Sequence, residues 1–311
     1  MRNKILLAVT LVCWSLVACG EGPESKSGSE SGAAVLNVVC TTGMITDMAA
    51  RIGGDRVKVT GLMGPGVDPH FYKATQGDLK YLIQADIVFY NGLFLEGKME
   101  DIFDKMSRNK TVVAVARNLD KSGLRRPPEF QGHFDPHIWF DVDLWSQTID
   151  AVEAALAQAT PAGAADFRAR ADAYRVELHE LHQWVKARIA EVPEARRVLI
   201  TAHDAFGYFG DAYGIEVLGL QGISTVAEYG VNDVRHLVDI IVDRKVKAIF
   251  VESSVPERSI NAVREGCVAR GHNVVIGGTL FSDAMGEAGG GADTYVGMVR
   301  TNVNTIVGAL K

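Results

Sequence analysis

Four side chains of this chain could hold one ion between them: His70, His137, His203 and Asp283. Each follows an apolar, strand-like run, within GPGVDPH (64–70), FDPHIWFD (134–141), TAHDAFGYF (201–209) and FSDAMG (281–286). Three imidazoles and one carboxylate form a closed four-donor set for a borderline divalent cation such as Zn²⁺. A carboxylate able to use both oxygens would also accommodate Mn²⁺. Two donors come from each half of the chain, so a site made from them lies in the cleft between halves, one ion per chain.

The tripeptide Asp-Pro-His occurs twice, at 68–70 and 135–137. Aspartate before proline is biased out of the helical region and makes a good N-cap, and proline suits the first helical position. Each histidine is therefore expected at about the second position of a helix or helical turn. The positive end of the helix dipole would there disfavour imidazolium, leaving the neutral ring that binds metal. His203 and Asp283 follow strands, where open α/β sheets place their ligands.

Other residues could contribute. Glu252, at a strand end in VESS, reads either as an acceptor behind a liganding imidazole or as a structural ion pair. Trp139 and Phe140 are expected to wall the site. His179 and His182 share a helix at i, i+3; a solvated face is preferred, and HELH lacks the HExxH spacing of zinc proteases. His133 is read as a loop residue rather than an auxiliary ligand, and His236 and His272 lack a partner motif.

Strand–helix alternation must position these groups. Strands are expected at 35–41, 56–62, 87–90 and 112–115, then at 197–201, 216–220, 248–252 and 274–276, with helical patterns between. This predicts an α/β fold of two doubly wound parallel-sheet lobes, at 35–160 and 193–311. Between them Phe167, Ala171, Tyr174, Leu178, Leu181, Val185, Ile189 and Val192 recur at three and four. One helix over 161–192, about 48 Å long, would run along both lobes as a spine that restricts their opening.

Residues 1–18 read as a secretory signal: Arg2 and Lys4, an apolar run over 5–12, then Leu16-Val17-Ala18 before Cys19. Cys19 fits a lipobox and lipid attachment better than an incidental cysteine in an ordinary signal. The apolar run is too short to span a bilayer. Residues 19–34, rich in Gly, Ser and Glu, are expected to be a flexible tether. Removing 1–18 takes two of the 32 basic residues and none of the 38 acidic ones, moving the net charge from −6 to −8. With no basic, aromatic-interleaved stretch, nucleic acid is not an expected partner. Cys40 and Cys267, one per half, read as buried core residues rather than a disulfide framework.

The blocks GLMGPGVDPHFY, FDPHIWFDVDLW, TAHDAFGYF, GLQGIST, VESSVP, GGTLFSDAMG and TYVGMV, in this order, resemble the cluster A-I metal-binding lipoproteins of bacterial ABC transporters. The resemblance runs from about Val35 to the C-terminus. It implies a zinc- or manganese-binding solute-binding protein with metal between two lobes, and it places the ligands at His70, His137, His203 and Asp283. It also implies a permease and its ATPase as partners, a monomer anchored through Cys19 on the periplasmic or cell-surface side of a membrane, and no catalysis. In family members regarded as manganese-specific the position of His203 is glutamate, so histidine here resembles zinc-binding or mixed members. The His- and acid-rich loop of many zinc-specific members is absent. A zinc hydrolase on the same ligands and a surface adhesin with a structural metal are the alternatives.

Overall fold

The computed structural model describes residues 35–311, which form one compact body. The signal, Cys19 and tether readings fall outside the described residues. In the first half β1 (Leu36–Cys40), β2 (Val57–Gly61), β3 (Ile87–Tyr90) and β4 (Thr111–Ala114) form a parallel sheet in the order β2-β1-β3-β4. Helices α1 (Gly43–Gly53), α2 (Gln76–Gln84) and α3 (Glu100–Ser107) connect these strands, and α4 (Val142–Gln147) and α5 (Ile149–Ala159) follow. The apolar runs VVC and IVFY bury both faces, as parallel strands under helices require.

The spine is α6, Ala164–Ala190, 27 residues and about 40 Å long. It is shorter than the sequence expectation because Pro161–Gly163 form a separate 3₁₀ turn. At the other end the Arg197 guanidinium donates to the carbonyls of Val192 (2.9 Å) and Ala190 (3.3 Å), closing the helix with a cation at its negative pole. Every apolar residue of the predicted stripe is buried. His179 is exposed as expected, but His182 is not on a solvated face: it is buried with Nδ1 3.1 Å from the Tyr213 hydroxyl.

In the second half β5 (Val198–His203) pairs with β6 (Glu216–Gln221), with α7 (Gly207–Tyr213) between them. Helix α8 (Val231–Asp243) leads to β7 (Ala248–Glu252), and α9 (Arg258–Ala269) leads to β8 (Val275–Leu280), which pairs with β7. The predicted doubly wound sheet is here two parallel ladders that abut along β5 and β7, and the β7–β8 ladder carries a register shift at Ile249/Phe250. The last helix, α10 (Tyr295–Leu310), lies close on β8. Gly277 and Gly278 permit this, since a Cβ there would stand 2.7 Å from Ala309 and 2.5 Å from Thr305.

The main core is continuous across the halves: Met44, Met48 and Ile52 of α1, the α6 stripe, and Tyr295, Met298 and Val303 of α10 belong to one cluster. Tyr295 reaches back to the first half twice, its N–H donating to Asp47 (3.1 Å) and its hydroxyl to the Trp139 carbonyl (2.7 Å). Cys40 and Cys267 are both buried and free. No helix among the described residues is long and apolar enough to cross a membrane.

Because Leu178 is fully buried in this shared core and Val176 is 61% exposed on the same helix, truncating them separates packing from helix content. Leu178→Ala is expected to lower stability by about 2–5 kcal/mol, and Val176→Ala to change it by less than about 0.5 kcal/mol. Urea unfolding followed by circular dichroism checks both; equal effects would contradict the spine's role.

Candidate metal centre

Four segments converge where the strands end. In the first, Gly64, Pro65, Gly66 and Val67 form a turn closed by Val67 N–H to the Gly64 carbonyl (3.2 Å), with Gly66 at φ +71°. Pro at the second position and a left-handed glycine at the third fit a type II turn. It delivers Asp68-Pro69-His70, where the Asp68 carboxylate accepts the His70 backbone N–H at 2.9 Å. The second Asp-Pro-His repeats this: Asp135 Oδ1 accepts the His137 N–H at 3.0 Å. Neither histidine occupies the expected second position of a helix. His70 sits in a turn, and His137 precedes a short 3₁₀ helix, Ile138–Phe140. The aspartate bends the backbone onto its own carboxylate, a local bond that competes with helix formation.

Burial and hydrogen bonding then orient each ring. His137 Nδ1 lies 2.8 Å from Asp135 Oδ1, and His203 Nδ1 lies 2.5 Å from Glu252 Oε2. Glu252 also accepts the His203 backbone N–H through Oε1 at 2.8 Å. Glu252 thus stands behind the imidazole, bonded to the His203 backbone and within ion-pair distance of its ring. With its Nδ1 on the Asp135 carboxylate, the His137 ring turns Nε2 inward, and the ion-pair contact of His203 Nδ1 with Glu252 leaves Nε2 of that ring facing the same point. The role of Asp135 was missed in the sequence, where it was read only as a helix cap; its place two residues before a candidate ligand was the available signal.

The donors meet with all four ligand atoms within 4.8 Å of one another. His70 Nε2 is 3.3 Å from His137 Nε2 and 3.7 Å from Asp283 Oδ2. Asp283 Oδ1 is 3.4 Å from His137 Nε2, and Oδ2 is 3.3 Å from His203 Nε2. Tetrahedral coordination with bonds of about 2.0–2.1 Å places donors about 3.3–3.4 Å apart, so the spacing fits one ion. Neither Asp283 oxygen nor His203 Nε2 has a hydrogen-bond partner, although all are buried. Such groups need a cation or a proton.

Asp283 is held from behind. Asn302 of α10 donates to the Phe281 carbonyl (2.7 Å) and accepts the Phe281 N–H (2.9 Å). The Trp139 indole donates to the Ser282 carbonyl (3.0 Å) and its ring stands edge-on to His137, so Trp139 walls the site as expected. Phe140 instead stacks on Phe206 in the core. On the first-half side the buried Glu96 carboxylate, pushed up to about 7 by burial, accepts Thr41 Oγ1 (2.7 Å) and the N–H of Asn91 (2.8 Å). Asn91 in turn donates to the Pro136 carbonyl (3.0 Å), tying the end of β3 to the residue before His137. His133 is exposed and stacked on Phe94, outside the donor set, and His272 Nε2 meets the Val246 carbonyl.

The electrostatics divide the imidazoles. Burial pushes His70 down to about 3, against the pull of Asp283. Burial also acts to lower His137, but Asp135 and Asp283 outweigh it and hold the ring up at about 9. His203 likewise stands well above its ordinary value, burial being overcome by Glu252 and Asp283. Burial alone would raise Asp283, yet the neighbouring His203 and His137 hold it well below the usual carboxylate range.

Two predictions follow from these partners. A metal must displace protons from the rings whose pKa is raised, whereas His70 is already neutral above about pH 4. Affinity should therefore keep rising with pH through about 9, and near pH 7 binding should release about two protons. Calorimetry in buffers of different ionisation enthalpy measures this; no proton release would refute the assignment of the raised rings. Glu252→Gln should weaken metal binding about 10–100-fold with the fold intact, read by competition with a chromophoric chelator.

Comparison with known proteins bears on the same segments. The family model described as "Zinc-uptake complex component A periplasmic" matches residues 38–309. The manganese-binding lipoprotein MntA of Bacillus subtilis is 50% identical over the full length of both chains. The zinc-binding protein TroA of Treponema pallidum is 48% identical over 100% of this chain and 99% of its own. The solved structure of the periplasmic zinc-binding protein TroA from Treponema pallidum superposes with a TM-score of 0.86 at 49% identity, covering 88% of this chain and 99% of that one.

Proposed function

We propose a function from one premise: the chain belongs to the ZnuA family, the periplasmic A component of zinc-uptake complexes. It is an extracytoplasmic solute-binding protein that captures one divalent transition-metal ion, Zn²⁺ or Mn²⁺, and delivers it to an ABC permease with its ATPase. The observation that carries this reading is the convergence of His70, His137, His203 and Asp283, which we assign as the ligands. The chain acts as a monomer tethered by a lipid on Cys19, a reading supported by the Leu-Val-Ala-Cys sequence and by the lipoprotein name of the Bacillus relative. Residues 35–160 and 193–311 form the two lobes, residues 161–192 the spine between them.

The donor set favours carriage over catalysis. A catalytic zinc usually has three protein ligands and an open position beside a general base. Here four protein donors surround one point, and Glu252, the candidate base, is engaged by His203 through both oxygens. The ion is cargo, so the site must bind it firmly and still let it go.

The test is metal loading of the full-length chain after stripping with chelator, with Zn²⁺ and Mn²⁺ offered at equal free concentration. Elemental analysis after desalting should find one ion per chain, zinc preferred, as the affinity series for imidazole donors dictates. Asp283→Ala should lose more affinity than the about 10–100-fold carried by partners behind a ligand, without loss of circular dichroism. No retained ion in the parent chain, or unchanged affinity in the variant, would remove the reading.

A further inference from the structure

His70 differs from the other two imidazoles in what holds it. His137 and His203 each have a carboxylate against Nδ1, at 2.8 and 2.5 Å. Among the described residues the only carboxylate within ion-pair reach of His70 is Asp283, on the metal side of the ring. The placement of His70 therefore depends on its backbone, and through it on Asp68, whose Oδ1 accepts the His70 N–H.

Asp68 has a second partner, from the other half of the molecule. Its Oδ2 accepts the Thr225 hydroxyl at 2.7 Å. In the second Asp-Pro-His the aspartate turns back on its own histidine ring; in the first it reaches across the cleft. Thr225 lies in the strap 222–227 that follows β6. Ile223 and Thr225 are buried, whereas Val226 and Ala227 are exposed. The Gln221 amide braces the strap by donating to the carbonyls of Thr225 (2.8 Å) and Ala227 (2.7 Å). Gln221 is itself paired with His203 in the β5–β6 ladder. A line of polar contacts thus runs from His203 through the strap to His70.

Open space lies on both sides of this strap. A cavity of about 360 Å³, lined by His70, Phe94, His133 and Ser224, lies on one side, and a groove of about 730 Å³, lined by Asp68, Gln221 and Thr225, on the other. At about 30 Å³ per water the cavity has room for an ion together with its hydration shell. With space on both flanks, the strap depends on few contacts for its position across the cleft.

We propose that Thr225 and Asp68 are positioning residues for metal release: their hydrogen bond latches the strap across the cleft and fixes His70 as a ligand. Opening the latch frees the strap and the His70 turn together, so the least supported imidazole is the first to leave the ion. This inference rests on the four-ligand reading of the site.

The experiment uses the full-length chain loaded with Zn²⁺ or with Mn²⁺, chased with excess chelator in a stopped-flow instrument. Thr225→Val keeps the shape and removes the hydroxyl; Thr225→Ser keeps the hydroxyl. Losing one hydrogen bond to a charged acceptor should raise the dissociation rate about tenfold or more. The association rate and the melting temperature of the stripped protein should stay near the parent values, and Thr225→Ser should release metal like the parent. Parent-like release from Thr225→Val overturns the latch while leaving the metal site standing. Equal acceleration in both variants assigns the effect to packing and overturns it as well. A parent chain that retains no metal removes the site reading, and the latch with it.

Discussion

Burying a carboxylate beneath three imidazoles is the constraint on which this structure depends. Asp283 is shielded from water, and its oxygens face ring nitrogens at 3.3–3.7 Å. Without compensating charge, such a group in the interior costs several kcal/mol. Compensation has to come from protons on His137 and His203 or from a cation, and the two compete for the same lone pairs. The site is therefore a proton–metal exchanger by construction. Asp135 and Glu252 set its terms: they orient the rings, and they raise the proton affinity that the metal must overcome.

Converging four segments to this tolerance requires a frame that does not flex at the donors. The shared core supplies it, because α1, α6 and α10 pack as one cluster rather than as two lobes on a loose hinge. Tyr295 and Trp139 carry that rigidity to the site, one bonding the backbone of the other and Trp139 fixing the backbone beside Asp283. A frame this continuous disfavours wide hinge opening. Movement is left to short segments at the cleft, where contacts are few and open space is adjacent.

The convergence of His70, His137, His203 and Asp283 was legible in the sequence because their motifs carry local geometry. Asp-Pro-His restricts its own backbone, and a strand end places its next residues in the cleft whatever the lobes do. The spine stripe was legible for the same reason, since a period of 3.6 fixes a face before any partner is known. What failed needed side-chain partners that no local pattern names. Asp135 looked like a helix cap until its carboxylate was seen on its own histidine, and His182 looked solvated until Tyr213 covered it. Thr225 closes the block GLQGIST, but that block does not name its partner, which stands 157 residues away. The division of the second half into two ladders also escaped pattern reading, because strand–helix alternation does not say which strands pair.

The same geometry offers donors for either of the two metals named for similar proteins. Asp283 Oδ1 faces His137 while Oδ2 faces both His203 and His70. One oxygen with three nitrogens makes the tetrahedron that zinc prefers. Both oxygens with three nitrogens make a five-donor shell, better suited to the larger and harder manganese ion. The two arrangements differ in the tilt of the Asp283 carboxylate. Imidazole donors in general bind Zn²⁺ more tightly than Mn²⁺, whereas the second carboxylate oxygen suits Mn²⁺, so the donor set pulls in both directions.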